Sequence, residues 1–164
     1  MDQPTKQFRI LAVSLSSRGF GYAVLEGDAL IAYGNKIINE DKNARSLAHI
    51  DKLITGYRPD VLALQAVKAK GTYRAPRIKE LHRKVVALAK QHRLKVVKIT
   101  AKELRNALLG NEAGTKRAMA ELLAGQFPDE LASRLPPKRK RWQSEDARMD
   151  IFEAVALALT VCKK

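Results

Sequence analysis

The sequence predicts a single α/β domain. Its core is a mixed five-stranded sheet, a three-stranded antiparallel meander plus two parallel strands, with helices on both faces. Two observations carry this. Three strand-patterned segments follow one another early in the chain, joined by connections too short to hold crossover helices. Two further apolar strands each follow a segment of helical period, and that order leads to strands added parallel to the first. At 164 residues and 46% hydrophobic, the chain is one domain in length and folds without needing disulfides or metals. Residues 1–7 read as a tail and 8–164 as the domain.

Phe8 to Leu15 alternates and then runs apolar, as a buried strand does. Ser16 to Gly19 is a turn, Phe20 to Glu26 a second strand, Gly27-Asp28 a hairpin turn, and Ala29 to Ile38 a third strand. Asn43 to Gly56 places Leu47, Ile50, Leu53 and Ile54 on one helical face, with Gly56 as its close. Val61 to Val67 is a strongly apolar fourth strand. Lys68 to Pro76 is a basic loop, Arg77 to His92 a second helix, and Val96 to Ile99 a fifth strand. Thr100 with Glu103 forms a capping box for the next helix, and Thr115 caps another that ends near Gly125. Phe127 to Gln143, broken by Pro128, Pro136 and Pro137, reads as a solvated loop. Ser144 then starts a last helix that runs to the C-terminus.

Charge is the strongest compositional signal: 31 Lys+Arg against 17 Asp+Glu, a net of +14. Such an excess attracts phosphate backbones, without choosing between DNA and RNA. The lone cysteine, Cys162, excludes a disulfide framework. The first residues carry no apolar leader, and no stretch is long and apolar enough to span a bilayer. A cytoplasmic, nucleoid-associated protein with no membrane partner is the expectation.

Four segments together resemble the RuvC-type Holliday junction resolvases, which have a ribonuclease-H-like fold. Ile10 to Tyr22 (ILAVSLSSRGFGY) resembles the family's opening strand-turn-strand, and Val61 to Lys68 (VLALQAVK) its fourth strand. Leu94 to Gly110 resembles the fifth strand and following helix, and Asp150 to Thr160 (DIFEAVALALT) the final helix. The resemblance implies two-metal phosphodiester hydrolysis. Its ligands would be an acid on the first strand, another at the end of the fourth, and two on the last helix.

Asp150 and Glu153 match the helix pair, three residues apart and so on one face. A last helix starting at Ser144 would put Asp146 one turn upstream on that face, as a helper. The strand positions are Ser14 and Gln65, both neutral. The matching set thus holds two carboxylates, or three with Asp146, where two divalent cations call for about four. Two-metal cleavage is therefore expected to be lost or severely impaired. No cofactor is required, and at most one weakly held Mg²⁺ or Mn²⁺ is expected at Asp150 and Glu153. A helix acid left without metal needs another counter-charge, for which Arg18, Lys116 and Lys68 are the candidates.

Arg105 and Lys116 fall where the resemblance implies basic residues facing DNA, and Arg18 is a further candidate for nucleic-acid contact. Lys68, Lys70, Tyr73, Arg74 and Arg77 place cations around one aromatic, a pattern that suits a phosphate track with a stacking surface. Lys138, Arg139, Lys140 and Arg141 precede Trp142 and suit the same purpose. The family's junction-wedging aromatic is replaced by Lys68. RuvC-like resolvases dimerise through small residues on the second helix. Lys79 to Arg83 (KELHR) is bulky and charged, so a homodimer stays open but that close contact is not expected. His82 and His92 read as surface residues. The leading expectation is a domain that binds branched double-stranded DNA without cutting it. The alternatives are an active metal-dependent structure-specific endonuclease and an RNA-processing or assembly factor of the same fold.

Overall fold

The computed structural model describes residues 8–66, 75–111 and 114–163. The strands are β1 (Arg9–Ser16), β2 (Gly19–Glu26), β3 (Ala29–Ile37), β4 (Val61–Gln65) and β5 (Lys95–Ile99). The helices are α1 (Lys42–Tyr57), α2 (Pro76–Gln91), α3 (Ala101–Leu109), α4 (Lys116–Gln126), α5 (Pro128–Leu131) and α6 (Met149–Lys163). The sheet order is β3-β2-β1-β4-β5. The first three strands pair antiparallel, while β4 joins β1, and β5 joins β4, in parallel. This is the expected mixed sheet.

Strand periodicity decides what faces each side. Leu11, Val13 and Leu15 of β1 pack with Ile50 and Ile54 of α1 and with Leu81 and Val85 of α2. Ile10 and Ala12 face the other way, onto α3, α4 and α6. Ser14 and Ser16 continue that second row, so their hydroxyls reach the start of α6. Gln65 extends the matching row of Val61 and Ala63 on β4. Helix α6 is buried on nearly every side and crosses β1 and β2. Gly21 allows this close approach: a Cβ there would lie 2.2 Å from the backbone oxygen of Asp150.

The structure departs from the sequence reading in four places. Gly56 stays helical, and α1 closes at Arg58, which takes a left-handed conformation (φ 49°) ahead of Pro59. Proline disfavours the right-handed helical region at the residue before it, which sets the break there. Segment 127–143 is not simply a solvated loop. It folds into α5 and a 3₁₀ turn (Ala132–Arg134), because Phe127 and Leu131 are buried in the core. The last helix starts at Met149, not Ser144. Tight backbone bonds, Met149 N–H to Asp146 O and Asp150 N–H to Ala147 O, form the turn that leads into it. His82 is buried, with Nε2 3.1 Å from the Gln65 carbonyl. His92 is partly exposed, as expected, and pairs with Asp51 at 2.7 Å.

No helix among the described residues is long and apolar enough to cross a membrane.

Candidate active site and nucleic-acid interface

The sheet and α6 bring the family-matching positions together. Ser14, 3% exposed, donates its hydroxyl to Glu153 Oε2 at 3.0 Å. Ser16 donates to Asp150 Oδ2 at 2.8 Å. Arg18, in the turn between β1 and β2, places Nη2 2.8 Å from Asp150 Oδ1 and 2.9 Å from Glu145 Oε1. Lys116, the first residue of α4, places Nζ 3.3 Å from Glu153 Oε1 and 3.4 Å from Glu145 Oε2. A small cavity of about 200 Å³ is lined by Gln65, Glu153, Lys116 and Arg105 among others, so Gln65 opens onto the same space.

Among the described residues, the result is an ionic network of two cations, three carboxylates and two hydroxyls. Burial works against charge at Arg18, Lys116, Glu145 and Asp150. For Arg18 and Lys116 the neighbouring carboxylates outweigh it, and both cations are held more firmly protonated than usual. Burial is likewise outweighed at Glu145, where the hydrogen bond from Arg18 and the charge of Lys116 pull the carboxyl below its ordinary range. Asp150 is the exception. Its burial wins over Ser16 and Arg18, with Glu153 adding like-charge repulsion, and its carboxyl is raised.

A pair of divalent ions does not fit this donor set. Each of the four oxygens of Asp150 and Glu153 already accepts from Arg18, Ser16, Lys116 or Ser14. Among the described residues, no three His, Cys, Asp or Glu side chains converge as metal ligands would. Asp146 does not join the site as a helper. It precedes α6, and its carboxylate is taken up by the guanidinium and backbone N–H of Arg148, which hold its pKa down at about 2. Glu145 was not singled out from the sequence. It lies outside any helix or strand, and nothing in local periodicity marks it.

The basic candidates divide into three groups. Lys116, Lys138, Arg139 and Arg105 line a wide cleft of about 890 Å³ beside the network, together with Arg117. Lys140, Arg141 and Trp142 form an exposed turn that Gln143 closes onto Lys140. Trp142 is 79% exposed there, with the Lys140 ammonium 5.3 Å from its ring centre. Arg77 is spent internally: it bonds Asn43 at 2.9 Å and the Ser17 carbonyl at 3.2 Å, tying α2 to α1 and to the β1–β2 turn. Lys68, Lys70, Tyr73 and Arg74 lie outside the described residues.

No family model matches the sequence, and no curated protein matches it. Solved structures do. RuvC of Thermus thermophilus superposes with a TM-score of 0.68 at 14% identity, over 93% of this chain and 92% of that one. The same resolvase in complex with a Holliday junction substrate gives 0.67 at 15% identity, over 93% and 92% of the two chains. The yeast mitochondrial Holliday junction resolvase Ydc2 gives 0.68 at 14% identity, over 96% of this chain and 78% of its own. At such low identity the likeness speaks for architecture: the chain has the ribonuclease-H-like fold of the RuvC resolvases.

Proposed function

We propose that the protein binds branched double-stranded DNA, of the four-way-junction kind, and that its two-metal nuclease activity is lost or severely impaired. One observation carries the second half. The carboxylates of Asp150 and Glu153, whose charge metal ions would otherwise neutralise, face Arg18 and Lys116 instead, and their remaining oxygens accept from Ser16 and Ser14. The first half is supported by two things. The fold matches resolvases solved with Holliday junction DNA, and a net charge of +14 comes with a cleft whose walls carry Arg105, Arg117, Lys138 and Arg139. Trp142, exposed beside the Lys140 ammonium, supplies a stacking surface for an unpaired or end base. Such a protein would act on the nucleoid by holding a branched structure or screening it from other enzymes.

The test is incubation with a four-way junction, a linear duplex and structured RNA, with Mg²⁺ and then Mn²⁺. Junction-selective retention without nicking is the expected result. Metal-dependent nicking that Asp150→Asn abolishes would make the protein an endonuclease instead, and tightest binding to RNA would move its substrate to that class.

A further inference from the structure

We propose that Arg18 and Lys116 form a subsite for one backbone phosphodiester, and that the Glu145 carboxylate occupies this subsite in the free protein, so that an incoming strand must displace it. The proposal rests on the nucleic-acid-binding reading above and names how that same site is regulated.

Among the described residues, Glu145 is surplus to the charge balance of the buried acids. Asp150 has Arg18 and Glu153 has Lys116, and Glu145 adds a third carboxylate to two cations already paired. Its position is that of a bridging anion. One oxygen faces Arg18 at 2.9 Å and the other faces Lys116 at 3.4 Å, although these cations come from a strand turn and a helix start far apart in sequence. A phosphodiester likewise presents two anionic oxygens on one centre, and guanidinium and ammonium groups recognise both anions in the same way.

Glu145 is also placed to be exchanged. Residues 144–146 belong to no helix or strand, so moving the side chain breaks no secondary structure. It lines the cleft of about 890 Å³ alongside Arg105, Arg117, Lys138 and Arg139. A polyanion drawn in by those cations meets a negative group in the cleft wall, bound to the two cations it would otherwise reach. The carboxylate therefore lowers affinity for any strand that does not engage the subsite fully.

The full-length protein and Glu145→Gln are titrated into a labelled four-way junction and a matched linear duplex. Thermal melting is followed with inorganic pyrophosphate. The variant is expected to bind DNA about three- to tenfold more tightly, the cost of parting two partly exposed ion pairs. Pyrophosphate should raise its melting temperature more than that of the unaltered chain. Glu145→Ala should behave likewise, and adding Arg18→Gln should cancel both gains. Equal or weaker DNA binding by both folded Glu145 variants overturns the proposal. If neither the unaltered chain nor its variants bind DNA, the functional reading falls. The subsite then stands or falls on the pyrophosphate arm: greater stabilisation of the variant supports it, and equal stabilisation refutes it. In the unaltered protein, the Glu145 carboxyl carbon resonance should shift on saturation with the anion that binds. An unmoved resonance also refutes the displacement.

Discussion

Replacing Arg18 by Met should cost the fold much more than replacing Asp150 by Asn, although the two substitutions break the same ion pair. Asp150 has a side chain only 4% exposed, whereas Arg18 is 27% exposed and also holds Glu145. Arg18→Met leaves a buried carboxylate with the Ser16 hydroxyl as its remaining short contact in the pair's geometry. Removing one partner of a fully buried pair costs about 3–5 kcal/mol, and the partial exposure of Arg18 reduces this to about 2–3 kcal/mol. Asp150→Asn keeps an acceptor for Ser16 and leaves Arg18 with Glu145 and water, so about 1 kcal/mol is expected. The double variant should be about 1–2 kcal/mol more stable than the sum of the single effects predicts. Urea unfolding at constant m-value measures all three.

The pH dependence adds a signature. Burial already raises the Asp150 carboxyl, and losing Arg18 raises it further. A carboxyl that binds its proton more tightly in the folded than in the unfolded state makes folding more favourable as pH falls from above its folded pKa toward the ordinary value of 3.8. The Arg18→Met deficit should therefore shrink as pH falls through that window, and adding Asp150→Asn should abolish the shrinkage. Equal costs for the two single variants at pH 7, simple additivity, or a deficit that does not change with pH would refute the argument.

Four further outcomes follow from the same geometry. Ser14→Asp combined with Gln65→Glu should lower the melting temperature in chelator, because Ser14 lies 3.0 Å from a Glu153 oxygen, and Mn²⁺ or Mg²⁺ should restore only part of the loss while Arg18 and Lys116 remain; nicking assays then report whether cleavage returns with the metal. Gly21→Ala should destabilise by about 3 kcal/mol in chemical denaturation, since its Cβ would collide with the Asp150 backbone. Trp142→Ala should leave the melting temperature unchanged, given its 79% exposure, yet weaken junction binding by about 1–3 kcal/mol in anisotropy titrations. Replacing Lys138 and Arg139 by Gln should weaken binding to all DNA sequences alike and flatten the log–log salt dependence by about 2.

The strands were legible in the sequence because the central strands β1, β2 and β4 are buried on both faces: apolar runs such as Val61–Leu64 and the short turns between β1, β2 and β3 leave little choice. The capping box at Thr100 and Glu103 was legible for a local reason, since both of its reciprocal bonds form between residues three apart. What escaped was set by distant partners. The start of α6 is delayed because Asp146 is drawn to Arg148 and a tight turn follows, which helical periodicity cannot register. Phe127 and Leu131 looked like loop residues among prolines, yet the core of α4 and α6 takes them in. His82 is buried because α2 lays it against the end of β4. The site was half legible. The neutral Ser14 and Gln65 and the acids of α6 could be read from motif positions, and Arg18 and Lys116 could be named as counter-charges. Glu145 could not, because its role exists only where a strand turn, a helix start and an irregular segment meet.

The same network bears on why restored acids alone are a demanding route back to metal binding. Ser14 and Ser16 present hydroxyls to Glu153 and Asp150, and Arg18 and Lys116 present full positive charges to the same groups at 2.8 and 3.3 Å. A divalent ion must compete with both cations for the same oxygens while paying for its own dehydration. Turning Ser14 and Gln65 into acids adds negative charge, but Arg18 and Lys116 draw closer to added negative charge too. The variant that frees the oxygens is therefore the one that also removes the cations: Ser14→Asp and Gln65→Glu together with Arg18→Met and Lys116→Met. Calorimetric titration with Mn²⁺ should show tighter binding in this fourfold variant than in the twofold one. Equal affinity in the two would mean that Arg18 and Lys116 do not stand where the metal's charge would.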